Sequence, residues 1–397
     1  MTRTRRVSIQ KGGKGAFVRR KVGSEIKNIC ECWYNIDLSD GCIAQVDVDL
    51  LQEVIDNNGK YLEGNLRIYK QQDRHDKRCE YCYAYKNMGN VFPRIVNEET
   101  RKDFEIYKPK VLRLGKITET GHPYYYKTLI GLLELCEEFK TGVIFTTKTL
   151  PFGIEGAEET KKYSRENNDV IFRLAKKQGM ISGRELANEL KNLENSTLLY
   201  SLGYDEYEPG LVSQGFTNNW RIKQALDFLK EDVNVSLTVV CDVTQSIEGN
   251  VERGSVIESA LEAKNKFGIN IRLLPIRPNS EYICGAVTGE SLKHVSDPTE
   301  FLPGFENSYF ISDRLRYRSK GNKEKVSMFF HPDFQKLVDS GIGVCGAVGD
   351  TEYCDKCNLI GKQWEKFPRK ELVQVVYDKK EKWGNRHQRN FPLFFQK

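Results

Sequence analysis

No apolar run in this 397-residue chain approaches the roughly 20 residues needed to span a bilayer, which excludes a membrane span. The start, Met1-Thr-Arg-Thr-Arg-Arg6, leads into Lys11-Gly-Gly-Lys14 instead of an apolar stretch, so it does not read as a secretory signal. A repeat of fixed period and a low-complexity tract beyond the basic start are also missing. The sequence shows no convincing phosphate loop or nucleophile elbow, and Gly12, Gly13 and Gly15 follow no predicted strand. Histidine is scarce at five residues, and His122, His294, His331 and His387 have no second histidine at ligand spacing; they read as surface residues. The expectation is a cytoplasmic chain in a reducing compartment, so its eleven cysteines call for something other than a disulfide framework.

Acids are absent from residues 1–22, which carry eight Lys or Arg. Residues 362–397 carry ten Lys or Arg against four acids, and the net charge of +6 therefore leaves the intervening body at −8. Basic ends on an acidic body suit contact with a polyanion such as nucleic acid, or else a solvated tail. Trp364, Phe367, Tyr377, Trp383, Phe391 and Phe394 among the C-terminal charges fit either base stacking or a small packed unit. With 39% hydrophobic and 29% charged residues the chain has the apolar content for a sizeable core.

Short apolar runs alternate with amphipathic stretches from residue 63 onward. The β-like runs are 65–69, 111–114, 143–147, 197–201, 235–241 and 269–274. Between them, 126–139, 181–193, 219–229 and 255–267 place apolar residues at helical spacing. The segment 154–169 is polar and reads as a surface excursion. Alternating β and α units predict a parallel sheet covered by helices, an α/β partial (β/α)6 TIM-like barrel. Residues 1–60 form a basic N-terminal extension in this reading, 61–285 the barrel, and 286–397 a Cys-containing C-terminal unit. Catalytic groups in such folds sit on the loops after the strands.

The first predicted strand runs into Lys70-Gln-Gln-Asp-Arg-His75-Asp-Lys-Arg-Cys79-Glu-Tyr81-Cys82-Tyr-Ala-Tyr85. Cys79 and Cys82 form a soft two-thiolate clamp that suits zinc or an iron–sulfur cluster. Here the sequence resembles the radical S-adenosylmethionine (SAM) enzymes, whose signature is Cys-x3-Cys-x-aromatic-Cys after the first strand of a partial barrel. The Tyr-Cys-Tyr-Ala ending is similar to the spore photoproduct lyase-like branch. Further matches follow in order: Arg113-Leu-Gly115, Thr146-Thr-Lys148, Ser201-Leu-Gly-Tyr-Asp205, Glu208-Pro-Gly210 before an Arg221-led helix, and Leu274-Pro-Ile-Arg-Pro278. The resemblance implies a [4Fe–4S] cluster and SAM, cleaved reductively to a 5′-deoxyadenosyl radical that takes a hydrogen from a substrate. It also implies a reductant such as flavodoxin or ferredoxin. Tyr81, Gly115, Glu119, Ser201 and Arg221 fall where that family gathers its cofactor-binding groups. The chain departs from the signature at one position: His75 stands where the first cysteine belongs. His75 is one ligand option, Cys30, Cys32 or Cys42 folding back is another, and the third is that His75 is an ordinary loop histidine on a degenerate relative that binds no cluster.

A second constellation is Cys345-Gly-Ala-Val-Gly-Asp-Thr-Glu-Tyr-Cys354-Asp-Lys-Cys357. These three thiols suit an auxiliary iron–sulfur cluster or zinc, and Cys354 and Cys357 could also complete a four-thiolate zinc site with Cys79 and Cys82. Cys136, Cys241 and Cys284 read as small core residues, and Asp242 as a strand-end acid facing the site. The alternative function is a non-catalytic, zinc-stapled nucleic-acid-binding protein on a degenerate radical SAM fold.

Overall fold

The computed structural model describes residues 6–11, 18–22, 25–29, 34–43, 46, 48–56, 79, 91–109, 111–115, 118–163, 169–194, 196–243, 245–275 and 331–344. The predicted strand at 65–69 lies outside them, as do His75, Tyr81, Cys82, Cys284, Cys345, Cys354 and Cys357.

The chain opens with β1 (Gln10–Lys11), a hairpin of β2 (Val18–Val22) and β3 (Glu25–Ile29), and β4 (Tyr34–Ile36). Helices α1 (Val48–Asp56) and α2 (Glu98–Tyr107) come before β5 (Val111–Leu114), α3 (Tyr126–Glu138) and β6 (Gly142–Thr147). Three helices follow, α4 (Gly153–Tyr163), α5 (Val170–Lys177) and α6 (Gly183–Asn192), and then β7 (Thr197–Leu202). Next come α7 (Pro209–Ser213), α8 (Asn218–Lys230), β8 (Val235–Cys241), α9 (Ile247–Glu252), α10 (Ile257–Phe267) and β9 (Asn270–Pro275). The described residues end with α11 (Pro332–Asp339) and β10 (Gly343–Val344). Among them, no helix is long and apolar enough to cross a membrane.

One eight-stranded sheet runs in the order β1-β4-β5-β6-β7-β8-β9-β10. From β4 to β10 every neighbouring pair is parallel, and β1 alone runs antiparallel, against β4. This is the α/β architecture of a partial barrel: six parallel strands, β4 to β9, with short β10 continuing the edge. Five of the predicted strands fall on β5 to β9. The place of the first is taken by Tyr34–Ile36, pairing Tyr34 with Leu112 and Ile36 with Leu114. A three-residue strand has no alternating run to betray it, which is why the sequence pattern points elsewhere. The sheet thus draws on residues either side of 61–285.

The central strands are buried along their whole length and so read as near-unbroken apolar runs. Every residue of Thr197–Leu202 and of Val235–Cys241 is buried. Helix α3 contributes Leu129, Leu132, Leu133 and Cys136 to the same core. Local signals mark the ends: Ser182 and Glu185 form a reciprocal cap on α6, and Gly268 at φ +70° stops α10. The expected surface excursion at 154–169 is mostly helix α4, packed inward through Gly153, Gly156, Ala157 and Thr160. Its buried face is built from small residues, so no large apolar stripe announces it. A Cβ on Gly156 would come within 2.3 Å of Gln224 Oε1, so α4 packs there because that side chain is missing.

Candidate functional site

Because β4 to β9 are parallel, the residues that follow them emerge at one edge of the sheet. Asp37 follows β4, Gly115 follows β5, Lys148 follows β6, Gly203 follows β7 and Asp242 follows β8.

The loop after β4 is pinned from both sides. Asp37 accepts from the Thr118 amide (3.3 Å) and hydroxyl (3.2 Å). Arg94 donates its amide to the Leu38 carbonyl (2.8 Å) and its guanidinium to the Asp37 carbonyl (2.9 Å), and it pairs with Asp40. The Tyr125 hydroxyl donates to the Val91 carbonyl at 2.8 Å. The chain therefore leaves the end of β4 near residue 38 and returns to the same place at residues 91–94. Cys42 and Cys79 both lie on this excursion, half-buried against the core. Burial pushes the Tyr125 phenol up, and Tyr124, Cys42 and Glu119 add to that, which places Cys42 and Glu119 in its electrostatic neighbourhood. Among the described residues, no three His, Cys, Asp or Glu side chains converge on one point.

A charged group lies across the ends of β6 and β7. Glu208 is fully buried, paired through Oε1 with the Lys148 ammonium and through Oε2 with Arg221 Nη1 at 2.5 Å. Arg221 is itself fully buried and donates to Ser201 O (3.3 Å), Asn218 Oδ1 (2.9 Å) and Phe216 O (2.7 Å). Burial raises the Glu208 carboxyl, against the opposing pull of the Arg221 charge and hydrogen bond. Glu119 accepts from the Lys148 amide at 2.8 Å. Its carboxyl is also raised, first by burial, with Lys148 and Arg221 opposing. Two acids and two bases thus gather at this edge. Of the Glu208 trio only Lys148 keeps some side-chain exposure, 12%.

Beyond β8, Asp242 sits in a polar knot. Its amide donates to Asn250 Oδ1 (2.8 Å) and Tyr204 Oη (3.1 Å), and Arg253 stands 3.6 Å from its carboxylate. Gly115 takes φ +75°, and a Cβ there would fall 2.5 Å from the Thr146 carbonyl, so glycine is required for the close approach of two strand ends.

The sequence-predicted residues Gly115, Glu119, Ser201 and Arg221 all lie on this edge or directly beneath it. Ser201 is buried in β7. Lys148 and Glu208 stand in the sequence only as motif letters. Their roles appear once Arg221 is seen to point inward from α8. Of the three thiols offered in place of His75, Cys42 alone falls among the described residues; Cys30 and Cys32 lie outside them. The reading of His122 as a surface residue is corrected: it is fully buried, and burial lowers its imidazole to about 3.

No protein-family model matches this chain, and no curated protein does. Among solved structures it is similar to Streptococcus suis SuiB bound to S-adenosylmethionine, at 15% identity and a TM-score of 0.31, over 52% of this chain and 39% of that one. SuiB bound to its precursor peptide SuiA matches at 16% identity and a TM-score of 0.29, over 51% and 37%. A spore photoproduct lyase variant matches at 9% identity and a TM-score of 0.30, over 66% of this chain and 68% of that one. The chain thus spans less than two fifths of SuiB.

Proposed function

We propose that this protein is a radical SAM-like enzyme holding a [4Fe–4S] cluster and SAM at the C-terminal edge of its parallel sheet. One observation carries the reading. The cysteine-bearing excursion starts and ends at the C-terminal tip of the first parallel strand, where Asp37 also holds Thr118, the residue before Glu119. Cys42, Cys79 and Cys82, all within the chain between residues 38 and 91, offer the soft donor set such a cluster takes. In this reading Cys42, following Gly41 at the strand end, is the third thiolate, and His75 has no ligand role.

The cluster would supply the electron, received from a flavodoxin- or ferredoxin-like donor, that breaks a carbon–sulfur bond of SAM. The chain's own residues bind and orient. The Lys148 ammonium, which pairs with Glu208 and keeps 12% exposure, would be the cation available to the carboxylate at the methionyl end of SAM. Arg221 contributes indirectly, holding Glu208 so that Lys148 keeps its place. Glu119 would accept from the methionyl ammonium. Cys345, Cys354 and Cys357 are proposed to hold an auxiliary cluster or zinc, and the basic ends to meet nucleic acid.

Anaerobic reconstitution with iron and sulfide tests the class. A brown protein with broad visible absorbance that loses its iron in the Cys79→Ala/Cys82→Ala variant is expected. A colourless protein containing zinc would favour the nucleic-acid-binding module instead.

A further inference from the structure

The carbonyls just after Cys42 are gripped by a fully buried side-chain chain that the cofactor reading does not use. Gln214, between α7 and α8, donates through Nε2 to the Val46 carbonyl (2.6 Å) and the Ile43 carbonyl (3.3 Å). Its Oε1 lies 3.0 Å from His122 Nε2. The other ring nitrogen of His122, Nδ1, accepts from the Tyr124 amide at 3.1 Å. That bond fixes the tautomer: Nδ1 bears the lone pair, Nε2 bears the proton, and the proton points at Gln214. With Oε1 accepting, the amide has only its two hydrogens to offer, and both go to the two carbonyls. Every polar atom of the chain is used, and both side chains are 0% exposed. Aromatic rings close the imidazole off, Phe216 at 5.4 Å and Tyr125 at 6.4 Å between centroids.

The chain joins three loops of the edge: after β4 (residues 43–46), after β5 (His122) and after β7 (Gln214). A core packing role would need neither three fixed polarities nor two backbone carbonyls of a loop. The loop it holds begins one residue after Cys42.

We infer that Gln214 and His122 are positioning residues that latch the foot of the cysteine-bearing loop, fixing where the Cys42 thiolate meets the cluster. The inference rests on the proposed cluster reading. Groups that orient a metal ligand without touching the metal typically cost about 10–100-fold in retention when removed. Coupling of this kind is reciprocal, so loading the cluster must tighten the latch as the latch tightens the cluster.

The test uses the full-length reconstituted protein. Gln214→Met and His122→Phe remove the polar grip at similar volume. Gln224→Met is the control: Gln224 is equally buried and also bridges, from the Phe152 amide (2.6 Å) to Glu159 (3.1 Å), but it serves α4 and not the cysteine loop. The half-life of bound iron against a chelator should shorten about tenfold or more in the two latch variants, and not in the control. The electron paramagnetic resonance signal and redox midpoint of the reduced cluster should shift in the latch variants alone. In the wild-type protein, exchange protection of the Tyr124 amide should rise on cluster loading while that of the Phe152 amide stays constant. If Cys79→Ala/Cys82→Ala keeps wild-type iron, the cluster reading itself fails. If that variant loses iron but the latch variants behave like Gln224→Met, or Tyr124 protection is unchanged by loading, the latch is overturned.

Discussion

Arg221→Met is the perturbation that most directly interrogates the buried charges. It removes the guanidinium from Glu208 and strips donors from three further acceptors, Ser201 O, Asn218 Oδ1 and Phe216 O. The methionine fills much of the arginine stem's space, so the loss is chiefly electrostatic. Removing one partner of a buried ion pair costs about 3–5 kcal/mol, because the other charge stays behind in a poor solvent. Lys148 still pairs with Glu208, which favours the lower end, about 3 kcal/mol. The sign of the pH dependence follows from Glu208. Burial already raises its folded carboxyl above the ordinary value, and losing Arg221 raises it further. A carboxyl raised in the folded state binds more protons there than in the unfolded chain. Its stabilisation is full below the unfolded pKa and is lost as pH rises through the folded one. The penalty of Arg221→Met should therefore be smaller near pH 5 than near pH 8. Urea titrations at several pH values, comparing midpoints at matched slopes, read this directly. A penalty below about 1 kcal/mol that does not change with pH would refute the buried-pair argument, since a cost that small belongs to an exposed pair.

Further outcomes are expected at independent places. Gly115→Ala should destabilise by about 1–3 kcal/mol in thermal or urea unfolding, since it adds a left-handed-region penalty to a 2.5 Å approach to the Thr146 carbonyl. Cys354→Ala/Cys357→Ala should lower the metal content or change its kind, and unchanged elemental analysis would remove the proposed second centre. Deleting residues 1–22 should flatten the salt dependence of nucleic-acid binding. The eight cations include Arg6, which is already engaged by Asp103 at 2.7 Å and Glu99 at 3.1 Å. About five phosphate contacts by the tail correspond to a loss of two to three orders of magnitude in affinity between about 50 and 200 mM salt. No binding at about 10 μM protein in low salt would leave the tail without that role.

How much the sequence disclosed depended on how large the buried side chains are. Val235–Cys241 was readable to the residue because all seven positions are buried and mostly apolar. Helix α4 was not, because its buried face is Gly, Ala and Thr and most of its larger residues are charged. Strand β4 is three residues long and owes its place to pairing with β5, which is tertiary information. The motif letters led to Arg221 and Glu119, but their roles depend on neighbours that only folding brings near. Arg221 sits 13 residues from Glu208 in sequence, and Glu119 accepts from Lys148, 29 residues on. His122 looked like a surface histidine because nothing local shows that Gln214, 92 residues away, accepts its hydrogen bond.

The central claim is that Cys42, Cys79 and Cys82 bind one cluster that opens SAM reductively at the edge of the sheet. Its most direct measurement is 5′-deoxyadenosine release from SAM by anaerobically reconstituted, dithionite-reduced protein, with bound iron determined on the same samples. Wild type and His75→Ala should both release it, whereas Cys42→Ala, Cys79→Ala and Cys82→Ala should each lose both the iron and the product. A reconstituted wild-type protein that holds zinc and releases nothing, or a Cys42→Ala variant with full iron and full release, would contradict the account.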